Sequence, residues 1–452
     1  MNRRSIGVWL LPLGLVASAS AQTAAPPSSP SGSGGYITQQ QFEEAQKAWQ
    51  EQFQKAQAAW QTKLDAVQTQ LHAVQKTQSN GPSRADQLQE MDDLVKRVDA
   101  DSARIDDLQP GLHNFLIVGD ADIDFVDMQH TPSSFGVGFA PLFLFTPTPN
   151  LLFEAGLDIG VDNATNDGSG ETSVELSIAD ASYNVCDYLT VGGGLFVTPF
   201  GVYHNHYDPS WINKLPDDPL PFADGGIAPD SSLGIFARGA IPVYATKFTY
   251  DLYVSNGPRL INDGASNGTL SWDNYDSNHG SKTIGGRLGF QPIPGVEVGY
   301  SFQTSDNIAP AGGPSAGDLL QAVDFEVKRQ VEALQGTVDF HTEVVWSHVD
   351  SFLYTGEVNP FAVDRNGGYV QLSYRPSGGG KFFENLEPVV RYDWLYSPLE
   401  PATIGGDHEQ RWTFGVDYWL RDNAVLKIAY ELDHEQVNPD NSGVLMQLGL
   451  GF

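Results

Sequence analysis

The C-terminal stretch VLMQLGLGF, residues 444–452, alternates large apolar residues with small or polar ones. The even-numbered positions are all large and apolar: Val444, Met446, Leu448, Leu450 and Phe452. Side chains of a β-strand point alternately to its two faces, so this period of two predicts a strand with one apolar face.

The same alternation fills the two segments just upstream, RWTFGVDYWLR (411–421) and VLKIAYELDHE (425–435), which a tight Asp422-Asn423 turn joins. Aromatic residues crowd the apolar faces, and charged residues occupy the opposite faces. A soluble sheet shows the same alternation, so alternation alone does not distinguish it from a membrane barrel. The aromatic content of the apolar faces and the strand-final Phe452 make that distinction. They resemble the C-terminal assembly signal of bacterial outer-membrane barrels, and we expect Phe452 to face lipid.

The N-terminal residues 1–21 have the layout of a secretory signal peptide. Arg3 and Arg4 precede an apolar run, and Ala19-Ser20-Ala21 supplies the small residues of a cleavage site. The apolar run is too short to span a bilayer as a helix. Residues 22–35, QTAAPPSSPSGSGG, are predicted to form a linker because Pro, Ser and Gly offer little to pack.

Residues 36–108 have a helical composition, rich in Gln, Ala, Lys and Glu. Apolar residues recur at heptad spacing along the first part: Phe53, Trp60, Val67 and Val74. This spacing predicts an α-helical coiled-coil segment in the periplasm, which trimerises the protein or reaches toward the cell wall. An antiparallel helix pair or a loosely ordered spacer is the alternative.

Composition and motifs exclude several classes of function. Cys186 is the single cysteine, which rules out an intramolecular disulfide framework, and the net charge of −31 argues against nucleic acid as a partner. We find no motif that fixes a Ser/His/acid set and predict neither an enzyme nor a cofactor. His204, His206 and Asp208 lie close together in sequence, but no further ligand is defined and no metal site is predicted.

Residues 109–452 change from heptad spacing to a period of two and are predicted to form an all-β transmembrane barrel of about 16 antiparallel strands. The predicted strands are 113–127, 135–147, 150–163, 172–185, 188–199, 231–242, 245–256, 281–291, 295–305, 322–331, 336–350, 367–376, 387–397, 409–421, 424–435 and 444–452.

The connections between these strands alternate in length. TPTPN, PIPG and Asp422-Asn423 are short, whereas 200–230 and the stretch after the seventh strand are long and polar. Outer-membrane barrels have short periplasmic turns and long outside loops, with an even number of strands. Only the connection SGGGKFFENLE is long for a predicted periplasmic turn.

Residues 109–452 resemble the Gram-negative porins, most closely the phosphate-selective O/P family. The resemblance lies in the loop at 198–239, the strand NLEPVVRYDWL, the hairpin VDYWLRDNAVLKIAYEL and the terminal Phe452. It implies a water-filled outer-membrane channel for passive diffusion of small hydrophilic solutes or ions, constricted by the loop 200–230. A substrate-selective channel for phosphate or carbohydrate, or an envelope tether through the coiled coil, is the alternative.

Outer-membrane lipid, lipopolysaccharide, the barrel assembly machinery and further copies in a homotrimer are the partners expected of such a porin. The outer membrane is the expected location, with the coiled coil in the periplasm.

The loop 200–230 and the inward faces of the later strands carry opposite charges. We predict a constriction in which they set up a transverse field across the path of a solute. The alternative is ordinary solvated charge in the lumen. The candidate residues are Asp208, Lys214, Asp217, Asp218 and Asp224 of the loop and Arg375, Arg391, Arg411, Arg421 and Lys427 of the wall.

Phosphate specificity is not carried over from the family, because phosphate selectivity requires a cationic path and the loop supplies one lysine, Lys214. The first and third strands add Asp120, Asp122, Asp124, Glu154, Asp158 and Asp162. The balance of charge therefore slightly favours cations or neutral solutes.

Overall fold

The computed structural model of the chain describes residues 114–162, 171–223, 225–261, 269–272, 282–309, 315–351, 364–398, 407–435 and 440–452. The predictions of a signal peptide, a linker and a coiled coil fall on residues before 109 and lie outside the described residues. The same is true of the candidate site residue Asp224.

Sixteen antiparallel strands form one closed barrel, and each pairs with its neighbours in the chain. The barrel strands are β1 (Phe115–Met128), β2 (Ser134–Thr148), β3 (Leu151–Asp162), β4 (Glu171–Cys186), β5 (Leu189–Val197), β6 (Ser231–Val243), β7 (Thr246–Asn256), β10 (Lys282–Ile293), β11 (Val296–Ser305), β12 (Asp318–Val331), β13 (Gly336–Val349), β14 (Asp364–Pro376), β15 (Leu386–Ser397), β16 (Asp407–Arg421), β17 (Ala424–Glu435) and β18 (Gly443–Gly451). Two short strands, β8 (Arg259–Leu260) and β9 (Leu270–Ser271), form a separate sheet between β7 and β10.

The prediction of an all-β barrel of sixteen strands is confirmed, and every predicted strand corresponds to one barrel strand. The largest shift is in β12, which begins at Asp318 and not at residue 322. Consecutive Leu319 and Leu320 interrupt the alternation of polar and apolar residues there. Leu319 is exposed on the outer face, whereas Leu320 is fully buried inside the barrel.

The barrel closes where β1 pairs with β18. The backbone NH of Gly119 donates to the carbonyl of Phe452 at 3.1 Å, and the NH of Phe452 donates to the carbonyl of Gly119 at 2.9 Å. The Phe452 ring stacks on Phe139 of β2 with centroids 5.6 Å apart. The C-terminal residue is thus part of the closing seam.

The outer surface of the barrel is apolar. Along most strands, residues of one parity are large, hydrophobic and exposed, including Ile235, Phe248, Trp412, Phe414 and Phe452. Exposed apolar residues of this kind face lipid in a membrane-spanning barrel, while polar residues line the lumen. The side chain of Phe452 lies on this apolar outer surface.

In the part of the chain that the structure describes, no helix is both long and apolar enough to span a bilayer. The unusually long connection between β14 and β15 contains a short helical turn, Lys381–Glu384. This turn accommodates the extra residues that distinguish the connection from the other short turns.

The connection from β5 to β6, residues 198–230, folds into the barrel, and we call it the inward loop. It includes a π-helical turn, Tyr203–Tyr207. Its Phe200, Tyr203, Phe222, Ile227 and Ala228 form a hydrophobic cluster with lumen-facing residues of β12, β13 and β14: Leu320, Ala322, Val345 and Tyr369. The barrel therefore has a packed core inside its lumen, on the side of these strands.

Candidate pore constriction

The inward loop follows the inner wall of the barrel. Near its start, the Thr198 hydroxyl lies 2.8 Å from that of Ser232 on β6, and the NH of Gly201 donates to Ser301 Oγ on β11 at 2.9 Å. Farther along, the NH of Ser210 donates to Asp120 Oδ2 on β1 at 2.9 Å. The loop thus reaches from the strands beside its origin to the seam where the barrel closes.

Glu343 of β13 fixes the entry of the loop. Its carboxylate accepts bonds from the NH of Val202 at 3.2 and 3.3 Å. Gly201 has a φ of +70°, and a Cβ there would collide with this carboxylate. Only glycine lets the backbone pass so close to Glu343 in this conformation.

A cluster of buried ion pairs holds the middle of the loop, and we call it the anchor cluster: Asp217 and Asp218 of the loop with Arg391, Asp393 and Arg411 of the wall. Arg391 pairs with the Asp217 carboxylate and also donates to the carbonyls of Asp217 at 3.0 Å and Asp218 at 3.1 Å. Its Nε donates to Asp393 at 2.9 Å. Because Arg391 is fully buried, its remaining N–H groups have hydrogen-bond acceptors only when the loop is in place.

Arg411 completes the anchor cluster. Its guanidinium lies 2.9 Å from Asp217 Oδ2 and 3.0 Å from Asp393 Oδ1, and it also donates to the carbonyl of Asp218. Two arginines on adjacent strands therefore share the single carboxylate of Asp217.

Lysines make two further attachments between loop and wall. Lys214 pairs with Glu387 at 3.0 Å and lies over the Trp419 ring at 4.9 Å from its centroid. Lys427 reaches from β17 to the loop and donates to the carbonyls of Ser210 at 2.5 Å and Leu215 at 3.3 Å. The loop lysine is thereby bonded to the wall, and the wall lysine is bonded to the loop.

Glycines on the wall make room for the loop. A Cβ at Gly449 would lie 2.7 Å from the Ser210 carbonyl oxygen, and one at Gly451 would lie 2.6 Å from the indole of Trp211. The glycines at these odd positions of VLMQLGLGF therefore form the surface on which the inward loop packs.

Burial and charge act on the anchor carboxylates in opposite directions. Burial alone would raise the pKa of Asp217, but Arg391 and Arg411 outweigh it, and its pKa lies below the ordinary value. Burial and then repulsion by Asp208 raise the pKa of Asp218, whose carboxylate accepts a bond from the Tyr203 hydroxyl at 2.6 Å. Asp217 therefore ionises more readily than Asp218.

The structure brings six of the predicted site residues together: Lys214, Asp217, Asp218, Arg391, Arg411 and Lys427. The opposite charges of loop and wall are in direct contact. The predicted transverse field requires these charges to face each other across an open passage, and they do not. These six residues attach the loop to the wall.

The other predicted residues lie apart from this contact. The Nε of Arg375 donates to the Glu384 carbonyl at 2.9 Å, near the short helical turn. Arg421 is exposed at the turn between β16 and β17. Asp208 is exposed on the loop, 3.6 Å from His204 Nδ1.

The histidines near Asp208 point to different partners. His206 lies 3.6 Å from Glu326 of β12, whereas His204 lies beside Asp208. Tyr207 stacks on His341 with centroids 4.2 Å apart. The described residues contain no group of three or more His, Cys, Asp or Glu that is suited to a metal ion.

The buried carboxylates Glu343 and Glu387 were not distinguished in the sequence from other inward-facing acids. Their role depends on which loop atoms they meet. The acidic character of the wall formed by β1 to β5 does have a sequence signal, since no lysine or arginine occurs between Arg104 and Lys214. That acidic span covers β1 to β5 and the first part of the inward loop.

Comparison with known proteins gives structural neighbours only. No family model and no curated protein matches the sequence. OmpF of Salmonella typhi, in complex with Daunomycin, is 12% identical, with 75% of this chain and 98% of that chain covered and a TM-score of 0.49. OprB of Pseudomonas putida is 11% identical, with 75% and 94% covered and a TM-score of 0.49.

OpdK of Pseudomonas aeruginosa, in a structure with vanillate, is 12% identical over 75% of this chain and 99% of that chain, with a TM-score of 0.38. The sixteen-stranded barrel is established by the strand pairing of this chain itself. The resemblance to the phosphate-selective O/P family stays a prediction.

Proposed function

We propose that this protein is an outer-membrane porin, a water-filled channel through which small hydrophilic solutes or ions diffuse passively. The inward loop is its constriction. The observation that carries the proposal is the one-sided placement of this loop against the inner wall. Arg391, Glu343 and Lys427 are fully buried beneath the loop, whereas Asp158 of β3 and Glu175 of β4 are exposed.

A barrel of sixteen strands is wide enough to hold an aqueous channel. Here the inward loop fills the space beside β11 to β18, where its contacts lie, and it touches β1 at Asp120. The remaining lumen lies beside β2 to β5. Its lining of carboxylates and glycines favours water over packed side chains.

The outer membrane is the proposed location because closed barrels with an apolar exterior and long loops on one side are the outer-membrane type. Lipid and lipopolysaccharide are the surroundings that this location implies. Phe452 is proposed as the assembly signal, since its ring is on the lipid face and its backbone closes the barrel. A homotrimer and an envelope tether through residues 36–108 remain further proposals.

A phosphate-selective channel is the weaker alternative. Phosphate recognition needs cations that are free to meet the ligand. Lys214, Arg391, Arg411 and Lys427 are bonded to the loop or to wall carboxylates. These contacts favour a diffusion channel without a row of phosphate sites on this side of the lumen.

Planar bilayers test the proposed function. Insertion of the refolded full-length chain should give discrete conductance steps in KCl, and the same protein after heat denaturation should give none. Repeated insertion of correctly folded barrel without any conductance would contradict the proposal.

A further inference from the structure

The pairing of β3 with β4 places carboxylates directly opposite one another. Glu154 pairs with Asp180, and Asp158 pairs with Glu175. Like charges in directly opposite positions of an antiparallel pair destabilise it. Two such pairs along one ribbon call for a positive partner outside the two strands.

The carboxylates of both pairs face the lumen. Asp158 interacts electrostatically with Asp208 of the inward loop and with Asp120 and Asp122 of β1. Asp180 interacts with Glu154 across the pair and with Arg238 of β6. The inward loop lies inside the barrel, so Asp158 projects into the space that the loop leaves open.

A bulge makes this arrangement possible. Ile178 pairs with Gly156 and Leu176 pairs with Leu157, so Ser177 has no opposite residue. The extra residue reverses the alternation along β4. Glu175 and Asp180 lie at positions of opposite parity in the sequence, and the bulge brings both to the lumen side.

The protein supplies little positive charge to this wall. β1 to β5 contain no lysine or arginine, and neither does the inward loop before Lys214. Asp180 is only 3% exposed, and its Oδ1 has no hydrogen-bond partner. A buried carboxylate oxygen without a donor, beside a second carboxylate, is suited to a mobile cation.

The cations on the opposite side of the lumen do not compensate. Arg391 and Arg411 are bonded to Asp217 and Asp393, and Lys214 is bonded to Glu387. The net charge that faces the open passage is therefore negative. A charged lining of one sign in a narrow aqueous path concentrates ions of the opposite sign.

We propose that the lumen-facing carboxylates of β1, β3 and β4, with Asp208 of the inward loop, form a cation path through the constriction. The channel then selects small cations, inorganic or organic ammonium, over anions. This inference rests on the proposed porin function and names its substrate class. Glu154, Asp158, Glu175 and Asp180 are the central residues of the path.

The test uses the full-length protein in planar bilayers with a KCl gradient, where the zero-current potential gives the K⁺/Cl⁻ permeability ratio. We expect the wild-type ratio to exceed one. In the double variant D158N/E175Q it should fall about threefold for each carboxylate removed, while conductance steps remain.

Two controls accompany this variant. D127N/D187N removes the same charge at exposed positions outside the path and should leave the ratio unchanged. D158E/E175D keeps both negative charges and changes only the side-chain lengths. Because the proposal assigns selectivity to charge, this variant should keep the wild-type K⁺/Cl⁻ permeability ratio.

The outcomes separate the two proposals. A wild-type ratio of one or below, or equal ratios in wild type and D158N/E175Q, overturns the cation path and leaves a conducting porin. Absence of conductance in folded wild-type protein overturns the porin function itself. If D158N/E175Q does not fold, E154Q is measured in its place, and an unchanged ratio there overturns the path.

Discussion

At the scale of single residues, Asp217 has the most demanding role. Its carboxylate is shared by Arg391, which is fully buried, and Arg411, whose side chain is 11% exposed. Charges removed from water are costly unless they are paired. The arginines on the wall therefore require the loop as much as the loop requires them.

Replacing Asp217 tests this dependence. D217N keeps the size of the side chain but leaves Asp393 as the one anchor carboxylate that both guanidinium groups share; breaking a buried pair costs about 3–5 kcal/mol. We expect the free energy of unfolding in detergent to fall by about that amount. D187N, at an exposed turn, is the matched control, and equal stability of the two variants would contradict the assigned role.

The anchor should also respond to acid. The arginines hold the pKa of Asp217 below the ordinary 3.8, so its ionised form stabilises the folded state above that pH. This stabilisation is lost as pH falls below 3.8 and through the lower folded-state pKa.

Limited proteolysis of the loop between pH 3 and pH 5 should therefore show increasing cleavage at the acid end, with an acid-stable protease. In D217N this phase should disappear, and an unchanged acid phase in the variant would exclude Asp217 as its source.

At the scale of the element, β18 has two faces with different functions. Its even residues lie on the apolar outer surface, and Gly449 and Gly451 receive the inward loop. Overpacking a tight contact costs about 1–3 kcal/mol.

G451V should therefore displace Trp211, lower the free energy of unfolding by about 1–3 kcal/mol and change the single-channel conductance. L448V, on the apolar outer face of the same strand, should leave the conductance unchanged. Equal conductance of G451V and wild type would show that the position of the loop does not depend on the contact between Gly451 and Trp211.

The strands were predictable from sequence, while the contacts of the lumen were not. Alternation of Trp412, Phe414 and Val416 with polar residues is local and identifies β16 without reference to other strands. The pairing of Asp217 with Arg391 joins residues that no local pattern relates. The Ser177 bulge is a second case, because alternation alone places Glu175 and Asp180 on opposite faces.

At the scale of the whole molecule, the inward loop divides the lumen into two unequal environments. Beside β15 and β17, Arg391 and Lys427 are buried and bonded to the loop, whereas beside β3 and β4, Asp158 and Glu175 are exposed. On the proposed function, the loop narrows the channel and also withdraws the bonded cations Lys214, Arg391 and Arg411 from it. Size selection and charge selection would then follow from the same placement of one segment.

The ends of the inward loop allow this division to be tested directly. The NH of Thr198 donates to the Asp230 carbonyl at 2.9 Å, so the residues between them can be replaced by a short linker without separating β5 from β6. A variant with Gly–Ser residues in place of 203–226 retains this junction and opens the lumen.

The decisive measurement is the single-channel conductance of this variant beside that of the wild-type protein, in the same salt and lipid. Both should conduct, and the variant should show a conductance higher by about threefold or more, because a wider aqueous path remains in a sixteen-stranded barrel. Equal conductance in folded wild type and variant would contradict the inward loop as the constriction.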